Sequence, residues 1–306
     1  MVSAVKQQDS QVIGVDLGGT AIKLGCFDRG GHCYQSLTVP TPNPATPSAV
    51  LAVMTSAIET LRSGATVPVV GIGVGTPGPA DARGRVALVA INLAGWWDVP
   101  LADWLEGETG VPVILANDAN CAGLGEAWLG AGRRFRNLIM LTLGTGVGGA
   151  IILNGELFVG HLGAAGELGL MTLNPDGPEC NSGNRGSLEQ YVSVQAIRRR
   201  MGLEPLELAQ LAASGDEKAL AFWEEYGRLL GAGLASLVYV LTPEAIILGG
   251  GVSAGAGFFL PAVKAELERR VLPSSRVGLE VLIAQLGNQA GMVGAGKLAW
   301  SLIEKG

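Results

Sequence analysis

Two distant stretches of the chain carry the same pattern. VIGVDLGGTAIKLGCFD, residues 12–28, runs from apolar β-branched residues into Asp16, Gly18, Gly19 and Thr20, then resumes apolar alternation at Ile22, Leu24 and Cys26. LIMLTLGTGVGGAIILNGELF, residues 138–158, also places a Gly/Thr tip between two apolar runs. Each reads as strand, tight polar turn, strand. No helix directly follows the first tip, which removes the dinucleotide fingerprint of strand, glycine turn and helix. A pair of equivalent hairpins implies two similarly built lobes.

The remaining pattern fits an α/β chain. PSAVLAVMTSAIETLRSG has helical spacing at Val50, Leu51, Met54, Ile58 and Leu61, with Gly64 as its stop. VVGIGVGTPGPAD is a buried strand entering a Gly-Pro turn, and DVPLADWLEGETG is a short helix. VPVILANDANCAGLGEAWLGAG reads as a strand, a polar break at Asn117–Asn120 and a helix. Residues 194–241 are mostly helical, AIILGGGVS is a further buried strand, and GMVGAGKLAWSLIEKG is a closing helix. A length of 306 residues suits about two domains. A net charge of −6 leaves no electrostatic footprint for nucleic acid. No apolar run reaches the roughly 18 residues of a membrane helix, and the polar start does not read as a signal peptide. The four cysteines, Cys26, Cys33, Cys121 and Cys180, show no paired spacing and read as reduced thiols in a cytoplasmic protein.

The 47 glycines follow no collagen period and cluster after apolar runs. Backbone N–H groups in tight turns bind a triphosphate, and side chains there would block close approach. Three turns qualify: DLGGT (16–20), TLGTGVGG (142–149) and LGGGVS (248–253). Their candidate contacts are Gly18, Gly19, Thr20, Gly144, Thr145, Gly146, Gly249, Gly250 and Gly251. Asp16 would repel phosphates unless a cation intervenes, so it is a candidate Mg2+ holder, directly or through water. The alternative is an Asx residue that only shapes its turn. Asp118 is a candidate proton acceptor for an attacking hydroxyl, or else a cap of the following helix.

DLGGT, GVGTPGP, NDAN, LTLGTGVGGA, AGELG and ILGGGVS occur in the order and rough spacing of the ROK family of sugar kinases and repressors, which the chain resembles from about residue 12 to 300. The resemblance implies an actin-like ATPase (ribonuclease H-like) α/β fold with two lobes and a central cleft. The N-terminal lobe would hold residues 1–116 and 291–306, and the C-terminal lobe 117–290. It implies ATP and Mg2+ as cofactors, with Lys23 joining the nucleotide-binding residues of the first turn. It implies Asp118 as the catalytic base and a hexose, most readily glucose, as substrate at its 6-hydroxyl. Asn117, Glu167 and Glu189 match sugar contacts, as do Gly75 and Asn92, although Asn92 could equally serve its own loop. The family also implies a homodimer. Fructose, N-acetylmannosamine, N-acetylglucosamine and allose stay open as substrates, and so does polyphosphate as donor. A sensing repressor is disfavoured because only a short segment precedes the first strand.

The stretch AAGELGLMTLNPDGPECNSGNRGSLEQYVS (164–193) departs from the family. Most ROK kinases carry a structural zinc there, on a His and three cysteines. The corresponding positions here are Leu170, Cys180, Ser182 and Ser187. One thiolate cannot make a tetrahedral site, so no structural zinc is expected. Burial of Leu168, Leu170 and Leu188, with Ser182 and Ser187 bonded to turn backbone, is expected to hold the loop instead. Metal analysis of the purified protein should return no stoichiometric zinc. Zinc that is present and lost in Cys180→Ser contradicts this.

Overall fold

The structure is a computed structural model and describes residues 10–90 and 93–305. The chain forms two compact units. One holds the chain up to Arg133, Leu157–Gly166 and the segment from Asn288; the other holds Arg134–Glu156 and Glu167–Gly287.

In the first unit β1 (Gln11–Leu17), β2 (Ala21–Phe27) and β3 (Cys33–Pro40) form an antiparallel meander. After α1 (Pro47–Gly64), β4 (Val69–Thr76) returns parallel to β1. A crossover is what a parallel pair requires. β5 (Ala87–Val89) and β6 (Trp97–Val99) make a separate ribbon. After α2 (Leu101–Thr109), β7 (Val113–Asn117) pairs parallel to β4. The sheet order is β3-β2-β1-β4-β7. α3 (Asp118–Trp128) follows at once, so the expected polar break has no length. Asn117 ends the strand and caps the helix, its Oδ1 accepting from Ala119 N at 2.9 Å and Asn120 N at 3.3 Å.

The second unit starts with the hairpin of β8 (Leu138–Leu143) and β9 (Val147–Leu153), extended by the short β10 (Glu156–Leu157). The helices α4 (Glu189–Val192), α5 (Val194–Met201), α6 (Pro205–Ala213) and α7 (Glu217–Leu241) follow. β11 (Ala245–Gly249) pairs parallel to β8. After α8 (Ala256–Arg270), β12 (Glu280–Ile283) pairs parallel to β11. The order β10-β9-β8-β11-β12 repeats that of the first sheet strand for strand. The chain ends in α9 (Ala290–Lys305). No described helix is long and apolar enough to cross a membrane.

Much of the glycine excess has a packing cause in the first unit. A methyl group at Gly14 on β1 would collide with the carbonyl of Met292, and one at Gly73 on β4 with that of Ala295. A methyl at Gly125 on α3 would strike the carbonyl of Ala290, and one at Gly294 on α9 that of Cys121. The backbone of α9 therefore lies directly on β1, β4 and α3. The division expected between residues 116 and 117 falls at the β7–α3 handover. The glycine contact with α9 groups α3 with the first unit.

Two alanine substitutions separate packing from propensity. Gly73→Ala should cost about 1–3 kcal/mol or more in urea unfolding, because helix backbone cannot yield to a methyl group. Gly107→Ala on α2 faces open space and should be neutral or stabilise by up to about 1 kcal/mol. An unchanged midpoint for Gly73→Ala contradicts the backbone contact.

Candidate active site

In the first unit the strand register sets Asp16 opposite Lys23 on β2 and Gly75 on β4. Lys23 Nζ lies 3.6 Å from Asp16 Oδ2 and donates to the carbonyl of Asn288 at 3.0 Å. Lys23 thus ties β2 to the short segment just ahead of α9. A methyl group at Gly291 would lie 2.9 Å from Asp16 Cγ, so the carboxylate occupies a notch that glycine keeps open. The first turn of a helix favours negative charge. Burial nevertheless pushes the Asp16 carboxyl above the usual range, with Lys23 opposing.

Asp118 opens α3, and its Oδ1 accepts from Ala119 N at 2.7 Å. Its side chain keeps accessible surface, yet crowding by protein raises its proton affinity. The Ala119 hydrogen bond opposes that rise and the Asp16 charge adds to it. A substrate-reachable carboxylate with a raised pKa is suited to proton transfer. A methyl at Gly75 would meet Cys121 Sγ at 3.2 Å and Asp118 Cα at 3.7 Å. Gly75 therefore sets how closely β4 approaches the start of α3. Burial drives the Cys121 thiol far up, and the charges of Asp16 and Asp118 push the same way.

The first glycine turn is closed by Gly18 N donating to Ala21 O at 3.0 Å. Thr41 braces it from outside, with its Oγ1 donating to Gly18 O at 2.6 Å and its N to Thr20 O at 3.0 Å. A methyl at Gly18 would crowd Ala21 O at 2.8 Å, whereas Gly19 faces open space. In the second unit Gly249 pairs with Thr142, which sets the third turn beside the second. Gly250 has a φ of 89° and packs on the backbone of Leu143. Ser253 N and Oγ both donate to Gly250 O, at 3.0 and 2.6 Å. Gly251 faces open space, and a methyl group at Gly144 would come no nearer than 3.9 Å to another atom. Internal packing explains Gly18 and Gly250. It does not explain Gly19, Gly144 or Gly251, whose open faces suit close approach by a ligand. Thr145 is exposed at the tip, and Glu189 lies against Gly146 with Oε2 accepting from Val147 N at 2.9 Å.

Glu167 is exposed just ahead of a short 3-10 turn, Leu168–Leu170. Leu168 and Leu188 enter the core of the second unit. Leu170 is only half-buried, so it does not give the full burial expected to hold the loop there. That role falls to Asn184, whose Nδ2 donates to Leu170 O at 2.9 Å and Thr172 Oγ1 at 3.0 Å. Ser182 Oγ donates to Cys180 Sγ at 3.3 Å and accepts from Asn184 N at 3.4 Å. Ser187 Oγ is buried and makes none of the expected backbone bonds among the described residues. Asn92 lies outside the described residues.

Sequence reasoning missed Gly291, Asn288, Thr41 and Asn184. The small-residue spacing Gly291, Gly294, Gly296 was a readable sign of close helix packing. Asn184 had no local signal, because its partners lie at Leu170 and Thr172.

The ROK family pattern matches residues 12–301. A curated glucokinase of Halalkalibacterium halodurans is 37% identical over 95% of this chain and 95% of its own. The ROK hexokinase of Thermus thermophilus superposes with a TM-score of 0.86 at 36% identity, covering 97% of this chain and all of that one. The ROK glucokinase of Streptomyces griseus, solved with glucose and AMPPNP, gives 0.78 at 35% identity over 95% and 99%. The repeated strand order is thus that of the actin-like ATPase, or ribonuclease H-like, α/β fold. With sequence and structure matched along nearly its whole length, the chain belongs to the ROK family.

Proposed function

We propose that the protein is an ATP-dependent hexose kinase of the glucokinase type. The observation that carries this is Asp118, an accessible carboxylate of raised proton affinity fixed by its own helix N-terminus beside Asp16. The names carried by the similar proteins support it: glucokinase for a curated relative, and glucose with AMPPNP in a solved one. In the reaction the O6–H proton of the hexose passes to Asp118. An O6–P bond forms, and the bond from the γ-phosphorus to the oxygen of the departing ADP breaks. The protein's work is positioning and charge stabilisation.

The glycine turns would receive the phosphates on backbone N–H groups. Asp16 is the residue that would hold Mg2+, which neutralises phosphate charge when bound with the nucleotide. One carboxylate is enough for this, because Mg2+ takes most of its ligands from phosphates and water. This fits the described residues, among which no group of three or more His, Cys, Asp or Glu could hold a metal. Asn117 spends its Oδ1 on capping α3, so its NH2 group is the part offered to a sugar hydroxyl. Glu167 and Glu189 would accept from further hydroxyls, and Leu170 would leave one hydroxyl to water or Glu167. The enzyme on this reading is cytoplasmic and a homodimer.

ADP release from Mg-ATP across a panel of hexoses and N-acetylhexosamines tests the function. Glucose should give turnover, and Asp118→Asn should lower kcat by about 10²–10⁴-fold while glucose still binds. Sugar binding without turnover on any sugar would favour a non-catalytic sensor.

A further inference from the structure

In the second unit a candidate sugar contact and a candidate phosphate turn are built as one body. Glu189 Oε2 accepts from Val147 N at 2.9 Å, where the Gly144–Gly146 turn runs into β9. Five residues after Glu189, Val194 N donates to Gly144 O at 2.8 Å, where the same turn leaves β8. The turn is therefore held at both ends by the short segment from α4 into α5. Gly146 carries no side chain where the Glu189 carboxylate sits.

That segment is itself braced from behind. Leu188 is fully buried, and a methyl at Gly233 of α7 would lie only 2.8 Å from its Cδ1. Tyr226, buried among Phe222, Trp223 and Phe259, donates its hydroxyl to Val192 O at 2.7 Å. Ser193 Oγ caps α5 by accepting from Ala196 N at 3.1 Å. Packed interiors transmit displacement rather than absorb it. A shift of Glu189 would therefore displace the turn that is bonded to it.

We propose that Glu189 and the Ser193–Val194 junction couple hexose binding to nucleotide binding. A hexose held by Glu189 fixes the 144–147 turn, and phosphates held by that turn fix Glu189. Glu189 is then a positioning residue for the phosphate turn in addition to its sugar contact. The proposal rests on the hexose kinase reading. Coupling of this kind is reciprocal: each ligand must tighten the other by the same factor.

The test is calorimetric titration of Mg-AMPPNP with and without saturating glucose, and of glucose with and without Mg-AMPPNP. The wild-type protein should show the same tightening in both directions, about 5-fold or more. Val194→Pro removes the N–H that donates to Gly144 O and leaves every proposed ligand contact in place. Proline suits the first position of a helix, and Ser193 already has the extended backbone (φ −82°, ψ 166°) that a residue before proline adopts. In this variant both ligands should bind and the factor should fall toward one. Should the variant fail to fold, amide exchange of the wild-type decides. Glucose alone, without nucleotide, should slow exchange at Val147 and Val194 by about 5-fold or more. A wild-type factor of one, an unchanged factor in folded Val194→Pro, or unchanged exchange overturns the coupling. A wild-type protein that binds no hexose at all overturns the kinase reading, and the coupling with it.

Discussion

The chemistry of the first unit depends on how closely one helix can lie on a sheet. α9 rests backbone to backbone on β1 and β4 at Gly14 and Gly73, and on α3 at Gly125 and Gly294. Each contact excludes a methyl group, so the spacing is fixed by main chain and not by adjustable side chains. Asp16 is brought against Gly291, Lys23 reaches Asn288 O, and Cys121 holds the start of α3 at Gly75. Asp118 follows from that placement, since it is the first residue of the helix so seated. The result is two carboxylates near enough to raise proton affinity at Asp118, in a setting whose burial raises it at both. Functional sites commonly hold charge at some cost to stability.

The second unit repeats the strand order and puts the equivalent hairpin to different use. Its turn has no carboxylate at the position of Asp16; the acidic group comes instead from Glu189, far along the chain. The third turn is set beside it by the β8–β11 pairing, with Gly250 in a conformation only glycine adopts easily. The loop before α4 is clasped by the amide of Asn184, which donates to Leu170 O and Thr172 Oγ1.

What could be read from the sequence was what is local or periodic. The two hairpins, the buried strands, the helix ending at Gly64 and the closing helix follow from apolar spacing and glycine stops. The helix start at Asp118 was blurred because Asn, Asp, Ala and Asn look like a break, although Asn117 is an N-cap. β12 was not visible, since Glu280–Ile283 is short and only half-buried along its length. Asp16, Asp118 and the glycine turns were legible as types of residue. Their partners were not: Asn288, Gly291 and Asn184 act across the fold, and sequence spacing carries no distance between them. Leu170 was misjudged for a related reason, because hydrophobic character alone does not show which way a loop residue faces.

The central claim is that the seat of α9 buries the Asp16 carboxylate enough that its charge costs stability, even with Lys23 beside it. The most direct measurement is the melting temperature of Asp16→Asn against wild-type between pH 4 and pH 8, without nucleotide or Mg2+. A carboxyl whose pKa is raised on folding is held less readily as an anion by the native state than by the unfolded chain. Stability is therefore lost as pH rises from the unfolded value of about 4 through the raised folded value. Asp16→Asn, which carries no such charge, should melt above wild-type at neutral pH, and the gap should close as pH falls toward about 4. A variant that melts below wild-type at neutral pH, and recovers on acidification, would show a charge stabilised by Lys23 and contradict the account.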